Sequence, residues 1–155
     1  MGRAVFNPAD SDHSTPKETL GALVSAIHNG VPCVFRYVKI VDLAVADGDC
    51  VMPASTSTWN VTQDIAGGSA LFTGHCVGVA VGTITAGNYG YVMVRGIHDN
   101  LFVEGTAAAG SSLIGPDAAD GRAEVMAAGE EDQVFGVALA ADVSNYTQAI
   151  INCLG

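Results

Sequence analysis

The stretch CVGVAVGTITAGNYGYVMVRG, residues 76–96, decides the fold, because the chain repeats its plan once more before it ends. Gly78-Val79-Ala80-Val81 leads through a short linker to Asn88-Tyr89 and then to an apolar run ending at Gly96. The same order returns as Gly136-Val137-Ala138-Leu139, Ala140–Ser144, Asn145-Tyr146 and a run ending at Gly155. Upstream, Ala46-Asp47-Gly48-Asp49-Cys50-Val51 is answered by Ala109-Gly110-Ser111-Ser112-Leu113-Ile114. The successive offsets are 62, 58, 57 and 59 residues, so the copies stay nearly in register. Short runs of Val, Ile, Leu and Tyr punctuated by Gly- and Asn-bearing turns read as strands. Each copy is turn, strand, variable loop, strand, turn, strand, and a duplicated β-unit predicts a small barrel or sandwich whose strands pair across the copies.

Outward from the repeat, Cys33–Asp49 is rich in Val, Ile, Phe and Tyr and ends in the turn signal Asp47-Gly48-Asp49, extending the β-body to 33–155. Residues 53–70 are polar and turn-rich and predict a loop with a lone Trp59, whose exposed tip is suited to touching a partner. Leu101–Glu104 reads as a short strand, and Gly115–Glu131, acidic and rich in small residues, reads as a surface loop. Nearer the N-terminus, Thr15-Pro16-Lys17-Glu18 fits a capping box. Leu20, Leu23, Val24 and Ile27 follow at helical spacing, and Asn29-Gly30 supplies a left-handed stop, so a helix is expected over 16–28. Residues 1–14 have no periodicity and predict an extended arm.

The arm is also the expected attachment device. Val5 and Phe6 sit in an otherwise polar stretch, Arg3 lies beside them and Asn7 follows. Residues 1–40 carry four of the six bases and three acids, a net of +1, whereas residues 41–155 carry two bases and thirteen acids, a net of −11. So acidic a body is repelled by nucleic acid and by anionic membrane, which excludes both as partners. At 155 residues, 49% hydrophobic and 14% charged, the chain is one domain with a real core. Residues 1–14 lack the apolar core of a signal peptide, so a cytosolic origin is expected, and there the four cysteines act as buried thiols.

The sequence carries no motif for catalysis, metal or phosphate. The four histidines (His13, His28, His75, His98) show no metal-ligand spacing with one another or with cysteine. His75 and Cys76 are neighbours and point to opposite faces of a strand, so they cannot form a nucleophile–base pair. Asp47-Gly48-Asp49 lacks the further acids of a calcium loop, and the glycine pairs lack the Lys, Ser or Thr of a phosphate loop. The expectation is no catalytic residue, no metal and no cofactor.

The string Cys76–Val81 through Ala86-Gly87-Asn88-Tyr89-Gly90-Tyr91-Val92-Met93-Val94-Arg95-Gly96 resembles small cement (decoration) proteins of tailed-phage capsids, and Ala107–Leu113 with Val134–Leu139 extends the likeness. The resemblance spans roughly residues 38–155 and implies a β-barrel or β-tulip-like domain. It also implies a homo-oligomer, a trimer before a dimer, that attaches to the major capsid protein on the outside of the virion. The helix expected at 16–28 departs from the simplest members. Two alternatives differ in class: a head-fibre or glycan-binding domain, favoured if Trp59 and Tyr91 line an exposed groove, and a small hydrolase, favoured if a histidine and a carboxylate meet in a deep pocket.

Overall fold

The structure, a computed structural model, describes residues 7–67 and 70–153. Ten strands form one sheet: β1 Leu23–His28, β2 Val31–Ile40, β3 Cys50–Pro53, β4 Asn60–Thr62, β5 Gly78–Ala80, β6 Tyr89–Phe102, β7 Ser112–Ile114, β8 Glu124–Val125, β9 Gly136–Ala138 and β10 Tyr146–Asn152. Their order is β1-β2-β4-β3-β5-β6-β10-β9-β7-β8, and β2 also pairs with β6. That extra pairing closes β2-β4-β3-β5-β6 into a five-stranded ring. Beyond it β6-β10-β9-β7-β8 curl the same way, and a parallel bridge from Val103 to Ala123 brings β8 back to the end of β6. The fold is therefore mostly β and barrel-like, with the 14-residue β6 shared between two rings.

The repeat seen in the sequence is a repeat of hydrogen bonds. β3 and β5 pair through Cys50↔Val79 and Val51↔Gly78, and β7 and β9 pair through Ser112↔Val137 and Leu113↔Gly136. Val77 N donates to Val51 O, and Phe135 N donates to Leu113 O. The turn bond Asp49 N to Ala46 O recurs as Ser111 N to Ala108 O. β2 meets β4 in parallel at Ile40↔Val61, as Val103 meets Ala123. Across the copies, β6 and β10 are antiparallel.

Each ring has its own filling. Val38, Ile40, Val45, Val51, Val61, Ala80 and Val92 pack together in the first. Their counterparts Leu101, Val103, Ala107, Leu113, Ala123, Ala138 and Ala149 are buried in the second and merge with a larger core containing Phe35, Tyr37 and Met93. An alternating strand gives one face to each core, which lets β6 serve both.

The helix expected at 16–28 is not formed: Leu23–His28 is strand β1, paired antiparallel with β2 from Leu23↔Arg36 to His28↔Val31. Asn29 and Gly30, at φ 49° and 79°, are the two central residues of a tight hairpin rather than a helix stop. Leu23 and Ile27, which the helical reading places on a buried face, are 52% and 65% exposed. Burial alternates along β1, and Val24 and Ala26 pack on the core. The physical reason is competition. An isolated thirteen-residue helix is marginal, while β2 offers a complete ladder to a segment containing Val24 and Ile27. Thr15–Glu18 is no capping box either; Lys17 N donates to the Tyr37 hydroxyl at 3.0 Å.

Of the expected arm, residues 1–6 lie outside the described residues, and with them Arg3, Val5 and Phe6. Residues 7–13 lie against the body. Asn7 caps a 3-10 helix, Pro8–Asp10, by accepting from Ala9 N. Ser11 Oγ donates to Pro8 O and accepts from Tyr91 N, and Asp12 accepts from Thr85 and Asn88. These bonds, that of Asn88 first, hold the Asp12 carboxyl below its usual value. His13 pairs with Tyr89. Gly90 permits this approach, because a Cβ there would lie 2.3 Å from Ser11 O.

Candidate interaction surface

Residues opposite one another in an antiparallel pair share a face. Ile27↔Pro32, Val34↔Arg95, Arg95↔Asn152 and Ile97↔Ile150 therefore carry one surface across β1, β2, β6 and β10. A groove of about 770 Å³ runs over it, lined by Ile27, Pro32, Val34, Arg95, Ile97 and Ile150 among others. Val137, opposite Ile150, and Leu139 extend the exposed apolar area onto and just beyond β9. The register shifts beside Val34, and Gly96 at φ 142° sits where any Cβ would strike the Cys33 sulfur.

Two features distinguish this face. β1 is the terminal strand of the sheet, and its sequence LVSAIH has neither charge nor proline, the usual devices that stop an edge from pairing. Arg95 is exposed, and among the described residues it makes no ion pair, in a chain of net charge −10.

Trp59 is arranged differently. Arg36 lies over its ring, 3.9 Å from the centroid, and a Cβ on Gly21 would fall 2.1 Å from its Nε1. The ring is clamped between β2 and the Gly21 turn, and at 37% exposure it borders a second groove of about 430 Å³ with Phe72 and a run of Ser and Thr. The Arg36 Nε is buried and, among the described residues, has no hydrogen-bond partner, while its guanidinium stacks on the ring. Tyr91 is only 5% exposed and belongs to the core with Tyr37, so it does not share a groove with Trp59. Around Trp59 the expected loop contains strand β4, parallel to β2.

The groups with chemical potential have structural work. His98 is 2% exposed; its Nε2 donates to Ala80 O at 2.9 Å and stands 3.5 Å from Asp47, while its Nδ1 accepts from Asn100 N. The His98 hydrogen bond holds the Asp47 carboxyl below its usual value. Both ring nitrogens are thus committed, and neither groove is lined by a histidine. His75 is exposed beside buried Cys76. Among the described residues no three His, Cys, Asp or Glu side chains converge as metal ligands, and no helix is long and apolar enough to cross a membrane.

Sequence reasoning missed the β1 edge and with it the groove. The available signal was Asn-Gly between two β-branched runs, a hairpin mark at least as strong as a helix stop. No protein-family model matches the chain, and no curated protein matches it.

Proposed function

We propose that this chain is a structural protein of a virion, a cement protein that binds the outside of the major capsid shell and self-associates through the open β1-β2-β6-β10 face. The observation that carries the reading is the tandem build: two β-rings fused through β6, presenting one continuous apolar sheet face and an uncharged edge. An adhesive building block needs area and repetition, since several weak contacts made by one oligomer multiply into tight attachment.

The occupant of the open face is a second copy. Arg95 is a cation in the groove, and residues 41–155 carry a net charge of −11, so a neighbouring copy supplies the carboxylates that complement it. A trimer is expected before a dimer. The glycan-binding alternative is less well supported, because it relied on Trp59 and Tyr91 together. The hydrolase alternative would have to use His98 from within the core.

The test has two arms. Co-sedimentation with undecorated heads measures attachment, and saturation at a fixed ratio to the shell protein is expected; no binding at micromolar concentration sinks the cement reading. Light scattering of Ile27→Lys/Ile150→Lys measures the face, and a folded monomer beside an oligomeric parent is expected. An unchanged oligomer removes this surface, and a monomeric parent removes self-association in solution.

A further inference from the structure

The first ring and the last strand meet at a cluster of thiols. Cys50 lies on β3, Cys76 on the connection before β5, and Cys153 directly after β10. Cys153 Sγ donates to Cys76 Sγ at 3.8 Å, which is van der Waals contact between the two sulfurs. Neither Cys76 nor Cys153 is inside a strand, so closing the remaining distance to a bond of about 2 Å breaks no ladder, although Cys76 Sγ must give up its hydrogen bond to Gly78 O. Cys50 is different. It is wholly buried on β3, and burial pushes its thiol well up.

We propose that Cys76 and Cys153 form an internal disulfide when the protein leaves a reducing environment, stapling the end of the second copy to the first. The timing rests on the virion reading, since a particle passes from a cytosol to aerated medium; the chemistry does not. The oxidant is a small-molecule disulfide such as oxidised glutathione. Cys153 is the least buried of the four cysteines; its hydrogen bond with Cys76, and burial, hold its thiol well up, so it reacts once its proton has passed to water. Its thiolate attacks the small disulfide, forming a mixed disulfide and expelling one glutathione thiolate, which takes up a proton. Cys76 then gives up its proton to water and attacks Cys153 Sγ, forming the internal bond and expelling the second glutathione. Two protein thiols are oxidised by two electrons, and one small disulfide is reduced to two thiols.

The closed loop contains the 76 residues between the two sulfurs, from Val77 to Asn152, so the staple restricts the unfolded chain strongly. It also fixes the junction of β10 with the first ring, where Cys153 N donates to Val94 O. An oxidised particle would then resist the opening of its C-terminal strand.

The experiment is oxidation of the folded full chain with oxidised glutathione, read by intact mass, thiol titration, peptide mapping and thermal melting. Expected are a mass loss of two hydrogens, a fall from four titratable thiols to two, a mapped Cys76–Cys153 link and a melting temperature raised by about 5 °C or more. Cys153→Ser should abolish the link and the shift, while Cys50→Ala should keep both. A stable glutathione adduct at Cys153, a link through Cys50, or four thiols still free would each overturn the proposal. Because no shell is present in the assay, its failure is distinguishable from failure of the cement reading.

Discussion

The two rings follow one hydrogen-bond plan and yet are finished in opposite ways. In the first, the chain preceding it lies across the end: Ala9 O would be 2.4 Å from a Cβ on Gly82, and Ser11 O 2.3 Å from one on Gly90. The second copy has Ala140 and Thr147 at these positions, by the offsets of 58 and 57 residues. Thr147 is 3% exposed, and its hydroxyl donates to Ala140 O at 2.7 Å. One end is built to be covered by another segment and the other seals itself with a side chain. The fillings differ in the same sense. Val45, Val61 and Val92 in the first ring correspond to Ala107, Ala123 and Ala149 in the second, and the polar Asp142 stands where Ile84 does. A duplication thus conserves backbone bonding while side-chain volume is redistributed between the copies.

The largest expected effect that sharpens this comparison comes from the first filling. Ile40→Ala should destabilise the protein by about 2–5 kcal/mol in denaturant melts, because Ile40 is wholly buried and its neighbours are held by ring closure. Val103→Ala, the equivalent in a ring with four alanines, removes one carbon fewer and should cost less; an equal or larger loss would mean that the second ring is the more tightly packed.

Next is Gly90→Thr, which writes the second copy's residue into the first. A Cβ there meets Ser11 O and Ile84, so the arm must lift. A cost of about 1–3 kcal/mol is expected, with amide exchange rising at residues 9–13 and not in β9 or β10. Unchanged exchange there would show that Gly90 does not determine where the arm lies.

Asp49 and Ser111 give a test of opposite sign. Both accept a turn bond, Asp49 from Ala46 N at 2.7 Å and Ser111 from Ala108 N at 3.1 Å. Burial, aided by the nearby Asp47, pushes the Asp49 carboxyl from 3.8 up to about 6 against the opposing Ala46 bond. A pKa raised by folding means that the native state favours the protonated acid. Its stabilising contribution is complete below about pH 4 and is lost as pH rises through about 6. Asp49→Ser keeps an acceptor without the charge, so at pH 7–8 it should be more stable than the parent by about 1–3 kcal/mol. That advantage should shrink as pH falls from 7 to 4; an advantage independent of pH would rule out the buried charge as its source.

The smallest effect belongs to the self-sealing end. Thr147→Val keeps the shape but leaves Ala140 O without its hydroxyl partner, for about 1 kcal/mol. A neutral result would mean that water replaces the hydroxyl.

Several elements were legible before the fold was known, and each has a local cause. The turn at Asp47-Gly48 was readable because Gly48 takes φ 91°, a region open chiefly to glycine. The repeat was readable because equal spacings of Gly, Val and Ala encode equal ladders. The groove was not, since Ile27, Ile97 and Ile150 come from three distant segments and nothing local says that their outer faces stay uncovered. Trp59 stood out as an isolated aromatic, but its clamping by Arg36 and Gly21 depends on pairs 23 and 38 residues apart in sequence.

By itself, then, the sequence determined the β character, the duplication and most of the turns, because φ restrictions and period-two patterning act over a few residues. Tertiary structure alone decided that 23–28 is strand rather than helix, that one long strand serves both rings, and that residues 7–13 are held down. Each of those outcomes was a contest between two locally acceptable conformations, and it was settled by which distant partner offered the ladder or the glycine gap to receive it.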